Sequence, residues 1–583
     1  MTSAERPSPD PTIQPDAPAA LDALAADYWT VTLERDPTFA TAIGDPRFDD
    51  RLADPSRDGT TASAARLSGL EARAEGIEPH QLDAPRRVTL LALRQSIQAD
   101  VARVGANLDD WNVDHIDGLP GNLLKIADYQ RLETPDDGRR MVERWRAMPG
   151  YVDASLARLR VGLSEGHVAC RAPVSRTIDI LDSVLAEPDD RWPLVRPAGR
   201  AAELAGWSDA DHRRLASDLV AAVRDGIRPA FQRYRSALAN EILPAARTDD
   251  EPGIGHVPGG HDAYLGLVRG HTTLDLAPSD LHQIGLDEIA RIDDELGALA
   301  GRVLGTSSLP EALARLRTDP SLHFETREQV YETADRCLDR AEAAIPAWFG
   351  RLPRALCDVV RMGTHEEAHS TIAYYRQPAQ DGSRPGAYFI NTSEPETRPR
   401  YEAEALAYHE SVPGHHLQIA IAQEAAGLPA FRRNLGPTAF VEGWGLYSER
   451  LADEMGLYSG DLDRIGVLSF DAWRASRLVV DTGMHALGWT RDQALAFMLE
   501  HTALAPNNIA NEVDRYIVLP AQALAYKAGQ LELLRLRTEA MDRLGTRFDI
   551  RTFHDAVLDQ GALPLAVLRE SVEAWVAEAA TGL

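Results

Sequence analysis

The chain has 583 residues, of which 44% are hydrophobic and 26% charged. That is the composition of a globular protein too long for one simple core, so two or three lobes are expected. Its 89 Asp and Glu against 61 Lys and Arg leave a net charge of −28, which argues against a nucleic-acid partner and against docking on an anionic membrane.

Three isolated cysteines, Cys170, Cys337 and Cys357, form no CxxC pair and no disulfide framework. They read as buried thiols in a reducing compartment. Residues 1–18 are rich in proline and acids and have no apolar core, so they read as a disordered tail and not as a signal peptide. No apolar run approaches the length of a membrane span. Together these features predict a cytoplasmic protein.

From residue 19 to about 245 the apolar residues recur at helical spacing, as in Leu21, Leu24, Tyr28 and Leu33, and predict a helical lobe that walls a cleft. Gly118 to Gly121 reads as a turn, and Pro149-Gly150 as a break between helices. Residues 246–350 read as a loop rich in Gly and Pro followed by helices from Ser279 to Val303 and from Arg327 to Trp348. Its His256 and His261 could reach a site, but read first as parts of a solvated loop.

Residues 351–583 form the expected catalytic region. Short β-branched or aromatic runs at Arg354–Met362, His369–Arg376 and Gly386–Thr392 predict a small sheet. The last run is placed at the sheet edge, where an extended peptide could add as a further strand. Tyr388 in that run would help to position the peptide, or is a packed strand tyrosine.

The stretch Tyr401 to Gln423 holds His409, Glu410, His415 and His416. A His-Glu pair followed by another His presents two metal ligands and a general base from one helix. The usual spacing puts the second His at i+4, one turn on and on the same face, but here that position is Pro413 with Gly414 after it. Proline in a helix costs about 3 kcal/mol, so a bulge or kink is expected there. Such a bulge brings His415 to the place of i+4, with His416 as the second choice. The competing account is a kinked helix with surface histidines.

A further helix starts after Gly436-Pro437 and carries Glu442 among Phe440, Val441, Trp444 and Leu446. An acid in so apolar a segment suits a third ligand. Glu449, seven residues on, could replace it or support a ligand histidine; both could also be solvated surface acids. Downstream, Pro520 is expected to open a long helix carrying Tyr526, the first choice for an oxyanion donor, with His485 the second. Core packing is the alternative for both. Arg515 could grip a substrate carboxylate or pair with Glu512.

The segments HESVPGHHLQ, FVEGWGLYSE and EVDRYIVLPAQALAYKAGQ resemble the bacterial family catalogued as domain of unknown function 885, over most of the chain and most closely from Tyr388 to Leu536. That family is similar to the gluzincin metallopeptidases, the angiotensin-converting-enzyme-like and thimet-oligopeptidase-like enzymes among them. The resemblance implies a mostly α, two-lobed fold with a deep cleft and a small sheet beside the active helix. It also implies Zn2+ on His409, His415 and Glu442, Glu410 as general base, and short peptides as substrates. Two other readings are a zinc hydrolase of a non-peptide amide or ester, and a non-catalytic helical binding protein with a degenerate metal motif. No feature sets an oligomeric state.

Overall fold

The structure, a computed structural model, describes residues 16–202, 204–306, 308–363, 367, 371–379, 382 and 384–581. Residues 1–15 of the expected tail lie outside this range. Its last three residues are ordered: Asp16 accepts a hydrogen bond from the Ala19 N–H, capping a helix that begins at Ala17.

Among the described residues the fold is mostly helical, with one small sheet of three strands. Helices from Ala17 to Gly105 enclose an apolar core that also takes in Phe431, from the C-terminal half. Residues 113–242 build a second core around Trp145, Trp192 and Phe231. A larger core, drawn mainly from residues 324–576, surrounds Trp444. The proline break expected in the second group does not occur, and one helix runs from Pro135 to Ser164 through Pro149. Trp145, Met148 and Val152 are fully buried on either side of that residue. Burying each apolar side chain is worth about 1.5–3 kcal/mol, which outweighs the local cost of the proline. The turn expected near Gly118 is the start of a helix, Leu119–Tyr129, with Pro120 in its first turn.

The sheet consists of β1 (Cys357–Arg361), β2 (Ala373–Arg376) and β3 (Gly386–Ile390). Strand β3 is parallel to β1 and antiparallel to β2, so it is the central strand and not an edge. All five of its residues are buried. An unbroken apolar run such as GAYFI is what a strand covered on both faces requires. The first two residues of the predicted His369–Arg376 run are outside the described range.

Seven helices position the site. Helix α1 (Pro278–Val303) lies along α5 (Asp461–Ala486). Helices α2 (Ala403–Glu410) and α3 (His415–Glu424) follow the sheet. Helix α4 (Thr438–Glu454) lies along α7 (Leu524–Leu544), with α6 (Pro506–Val518) beside α5. The α4–α7 contact is backbone to backbone: a Cβ on Gly443 would fall 2.5 Å from Gly529 Cα. Helix α7 begins four residues after Pro520, because Ala521 takes a left-handed conformation with φ of 68°. Buried Asp481 holds that turn by accepting hydrogen bonds from the Ala521 N–H and the Tyr264 hydroxyl.

Candidate metal centre

The local sequence breaks the helix at the point where the motif departs from the usual spacing. Helix α2 ends at Glu410 and α3 begins at His415, so Ser411 to Gly414 form a connection and not a bulge within one helix. The connection is pinned from α4, where the Trp444 indole N–H and the Ser448 hydroxyl both donate to the Pro413 carbonyl, at 2.9 and 3.2 Å. Gly414 has no room for a side chain, since a Cβ would lie 2.0 Å from the His409 carbonyl oxygen.

The result is a convergence of three side chains. One ligand atom each from His409, His415 and Glu442 lies within 4.8 Å of the other two. Glu442 Oε2 is 3.5 Å from His409 Nε2 and 3.6 Å from His415 Nε2. These separations exceed a good hydrogen bond. They match the roughly 3.4 Å expected between two ligand atoms placed about 2.1 Å from one tetrahedral ion. The two imidazole rings meet edge to face, with centroids 4.6 Å apart. Their side chains are 4% and 10% exposed while that of Glu442 is 22% exposed, so the site opens on the carboxylate side. The donor set and its spacing therefore fit a divalent ion, and two imidazoles with one carboxylate suit zinc.

Two further groups fit His409 for this task. Buried Glu449 accepts from His409 Nδ1–H at 2.8 Å, so Nε2 is the nitrogen that faces Glu442 and His415 and would give up its proton to an ion. Gly445 supplies the space for the ring, because a Cβ there would lie 2.5 Å from His409 Cε1 and 2.7 Å from Nε2. Burial opposes charge on His409, but Glu442 and Glu449 outweigh it and raise its pKa to about 9. Burial likewise opposes charge on Glu442, but the two histidines hold its carboxyl well below the usual range.

The other predicted residues are distributed unequally. His416 is held in the neutral form as a structural group: its Nε2–H donates to the Ala355 carbonyl and its Nδ1 accepts from the Tyr375 hydroxyl, both at 3.0 Å. Burial lowers its pKa to about 4. His485 lies outside the site, with its ring between the Tyr516 carbonyl, 2.9 Å from Nε2, and the Ile254 N–H, 3.0 Å from Nδ1. Arg515 forms a forked pair with Glu512 and donates to Gln522 Oε1. Tyr388 is fully buried, and among the described residues its hydroxyl has no hydrogen-bond partner. Burial raises its pKa well above the ordinary value, and the charge of nearby Glu410 adds to the effect. Glu410 itself is half-buried on the last turn of α2.

Tyr526 is also half-buried, near enough to Glu442 to feel its charge. Burial raises its pKa, with the Glu442 charge adding to the rise. Arg477 lies over its ring, 4.3 Å from the centroid. Arg477 was not anticipated from the sequence. It is nearly fully buried, and it also bonds Glu512 and the Tyr516 hydroxyl. Its only sequence signal is position, on the apolar face of α5 within a long buried run.

The fold and the site thus define a helical protein with a two-histidine, one-glutamate site suited to a metal ion. The chain belongs to the family described as "Bacterial protein of unknown function (DUF885)", whose model matches residues 37–572. No curated protein matches it. Among solved structures, a protein of Colwellia psychrerythraea described as a "putative lipoprotein" is similar, with 27% identity over 96% of this chain and 99% of that one and a TM-score of 0.88. A second protein so described, from Shewanella oneidensis, has 17% identity over 96% of this chain and 99% of that one, with a TM-score of 0.72, and shares the fold. Trypanosoma cruzi metallocarboxypeptidase 1 matches at a TM-score of 0.37 and 11% identity, over 97% of this chain and 96% of that one, which is too weak to carry an argument. The lipoprotein descriptions overturn the expected cytoplasmic location. Among the described residues no helix is long and apolar enough to cross a membrane.

Proposed function

We propose that this protein is a zinc-dependent hydrolase that cleaves amide bonds in short peptides, acting in association with the cell envelope. The observation that carries the reading is the convergence of His409, His415 and Glu442, with Glu410 next in sequence to a ligand. An ion held by these three side chains would acidify a water and polarise the carbonyl to be attacked. Glu410 accepts the proton from that water as it attacks the amide and returns it to the leaving nitrogen. Tyr526 donates its hydroxyl hydrogen to the developing oxyanion, and Arg477 over its ring keeps the phenol oriented. Glu449 keeps His409 in the tautomer that presents Nε2 to the ion.

The test begins with metal content. Wild-type protein supplied with zinc is expected to hold one ion per chain, and Glu442→Ala and His415→Ala to hold none. His416→Ala is expected to retain it. Glu410→Gln is expected to retain the ion and lose about 100-fold or more of the hydrolytic rate, the usual contribution of a general base. Zinc-supplied wild type that binds no metal would rule out the hydrolase. A panel of short peptides beside esters and non-peptide amides assigns the substrate class.

A further inference from the structure

A cavity of about 720 Å³ lies among the N-terminal helices and reaches Leu435 and Leu519. Those residues stand just ahead of the helices that carry Glu442 and Tyr526. The cavity is large enough for a small-molecule or peptide segment. Its charged lining is six aspartates and three arginines, and the charges do not cancel. Arg35 and Arg103 both pair with Asp100, and Arg158 pairs with Asp109 and Asp110. Among the described residues Asp36, Asp54 and Asp114 on the same wall have no cation within ion-pair distance.

One part of this wall is built from the interior outward. Tyr234 is only 4% exposed, yet its side chain lines the cavity and its hydroxyl has no hydrogen-bond partner among the described residues. Its hydroxyl therefore opens into the cavity, where whatever fills that space can bond it. Burial raises its pKa, and Tyr151 and Asp114, both also lining the cavity, raise it further. Burial likewise raises the pKa of Asp114, whose carboxylate accepts from the Ile116 and Asp117 N–H groups. The helix that carries Tyr234, Arg228–Ala237, is bounded by two π-helical turns, Val223–Ile227 and Leu238–Ile242. Such turns are uncommon and recur at functional sites.

We infer that this cavity binds an ammonium or guanidinium group of the substrate, with the Asp114 carboxylate and the Tyr151 and Tyr234 hydroxyls as its recognition elements. The cation supplies what the wall lacks: a positive charge for an unpaired carboxylate and N–H donors for phenol oxygens. That the cation belongs to a substrate rests on the hydrolase reading. That the cavity selects a cation does not.

The experiment is titration calorimetry on the zinc-supplied Glu410→Gln protein, which reads binding without turnover. Three tetra-alanine-based amides serve as probes. One is N-acetylated with lysine at the third position, one has a free amino terminus with norleucine there, and one is N-acetylated with norleucine and carries no charge. At least one charged probe is expected to bind about tenfold or more tightly than the neutral one. The lysine probe assigns a side-chain cation and the free amine assigns a peptide terminus. Added Asp114→Asn is expected to abolish the preference. Added Tyr234→Phe, which keeps the ring, is expected to reduce it about threefold or more, the share of one hydrogen bond. Neutral and charged probes binding alike, no binding by any probe, or a preference that survives both substitutions in folded protein would overturn the cation site. None of these outcomes bears on whether zinc and Glu410 hydrolyse an amide.

Discussion

At the scale of single residues, the site depends as much on what is missing as on what is present. Gly445 is the clearest case, because the His409 ring occupies the space its side chain would fill. Gly445→Ala is therefore expected to abolish zinc binding while circular dichroism still reports a folded helical protein. Retention of a full equivalent of zinc by that variant would mean that His409 is not a ligand. Glu449→Gln keeps the size of the group and removes its charge. It is expected to weaken zinc affinity 10- to 100-fold, the usual cost of losing a partner behind a ligand histidine, as read by competition with a chelator. The ligand types were legible in the sequence because His-Glu beside a second His is a rare combination with a chemical meaning. The structural role of His416 was not, since it depends on the Ala355 carbonyl and the Tyr375 hydroxyl, which are distant in sequence.

At the scale of elements, the helix that carries Tyr526 is tied to its neighbours by a buried charge network. Lys527 on α7 bonds Asp471 on α5 at 2.6 Å and Glu288 on α1 at 2.8 Å, and Arg450 on α4 also pairs with Asp471. Removing one member of such a network leaves its partners buried and unpaired, at a cost of about 3–5 kcal/mol. Asp471→Asn is expected to lose stability in that range in denaturant titrations. The loss has a pH signature. Burial opposes charge on Asp471, but Lys527 and Arg450 hold its carboxyl well below the ordinary value. A depressed carboxyl pKa contributes fully above the unfolded value, about 3.9, and its contribution is lost as pH falls through the folded pKa. The stability gap between wild type and Asp471→Asn is thus expected to be constant near neutrality and to shrink below about pH 4. A gap that stays the same into acid would show that Asp471 makes no net ionic contribution. Helix positions here were legible from apolar periodicity. The central place of β3 was not read, although its unbroken apolar run is the signature of a strand covered on both faces.

At the scale of the whole molecule, composition set the class and little more. The helical character and the small sheet followed from periodicity and length, while the division of the helices among several cores did not. The first helices pack around Phe431, a contact across some 400 positions that no local pattern carries. The acidic balance is better understood from the fold than from the total. Part of it lines one cavity and its mouth, where the arginines are already paired. The cytoplasmic expectation rested on what the sequence lacked, and absence was a poor guide.

The connection between α2 and α3 has a consequence for how such proteins are found. In an unbroken helix the distance between two ligands is measured by the helix itself, and a fixed count of letters describes it. Here the measure is taken from outside, by a tryptophan and a serine that grip one carbonyl between the ligands. A search written as a fixed interval between histidines passes over this arrangement. A search written as a His-Glu pair, a helix-ending proline and glycine, and a later tryptophan four residues ahead of a serine would recognise it, because those letters specify the clamp that sets the spacing.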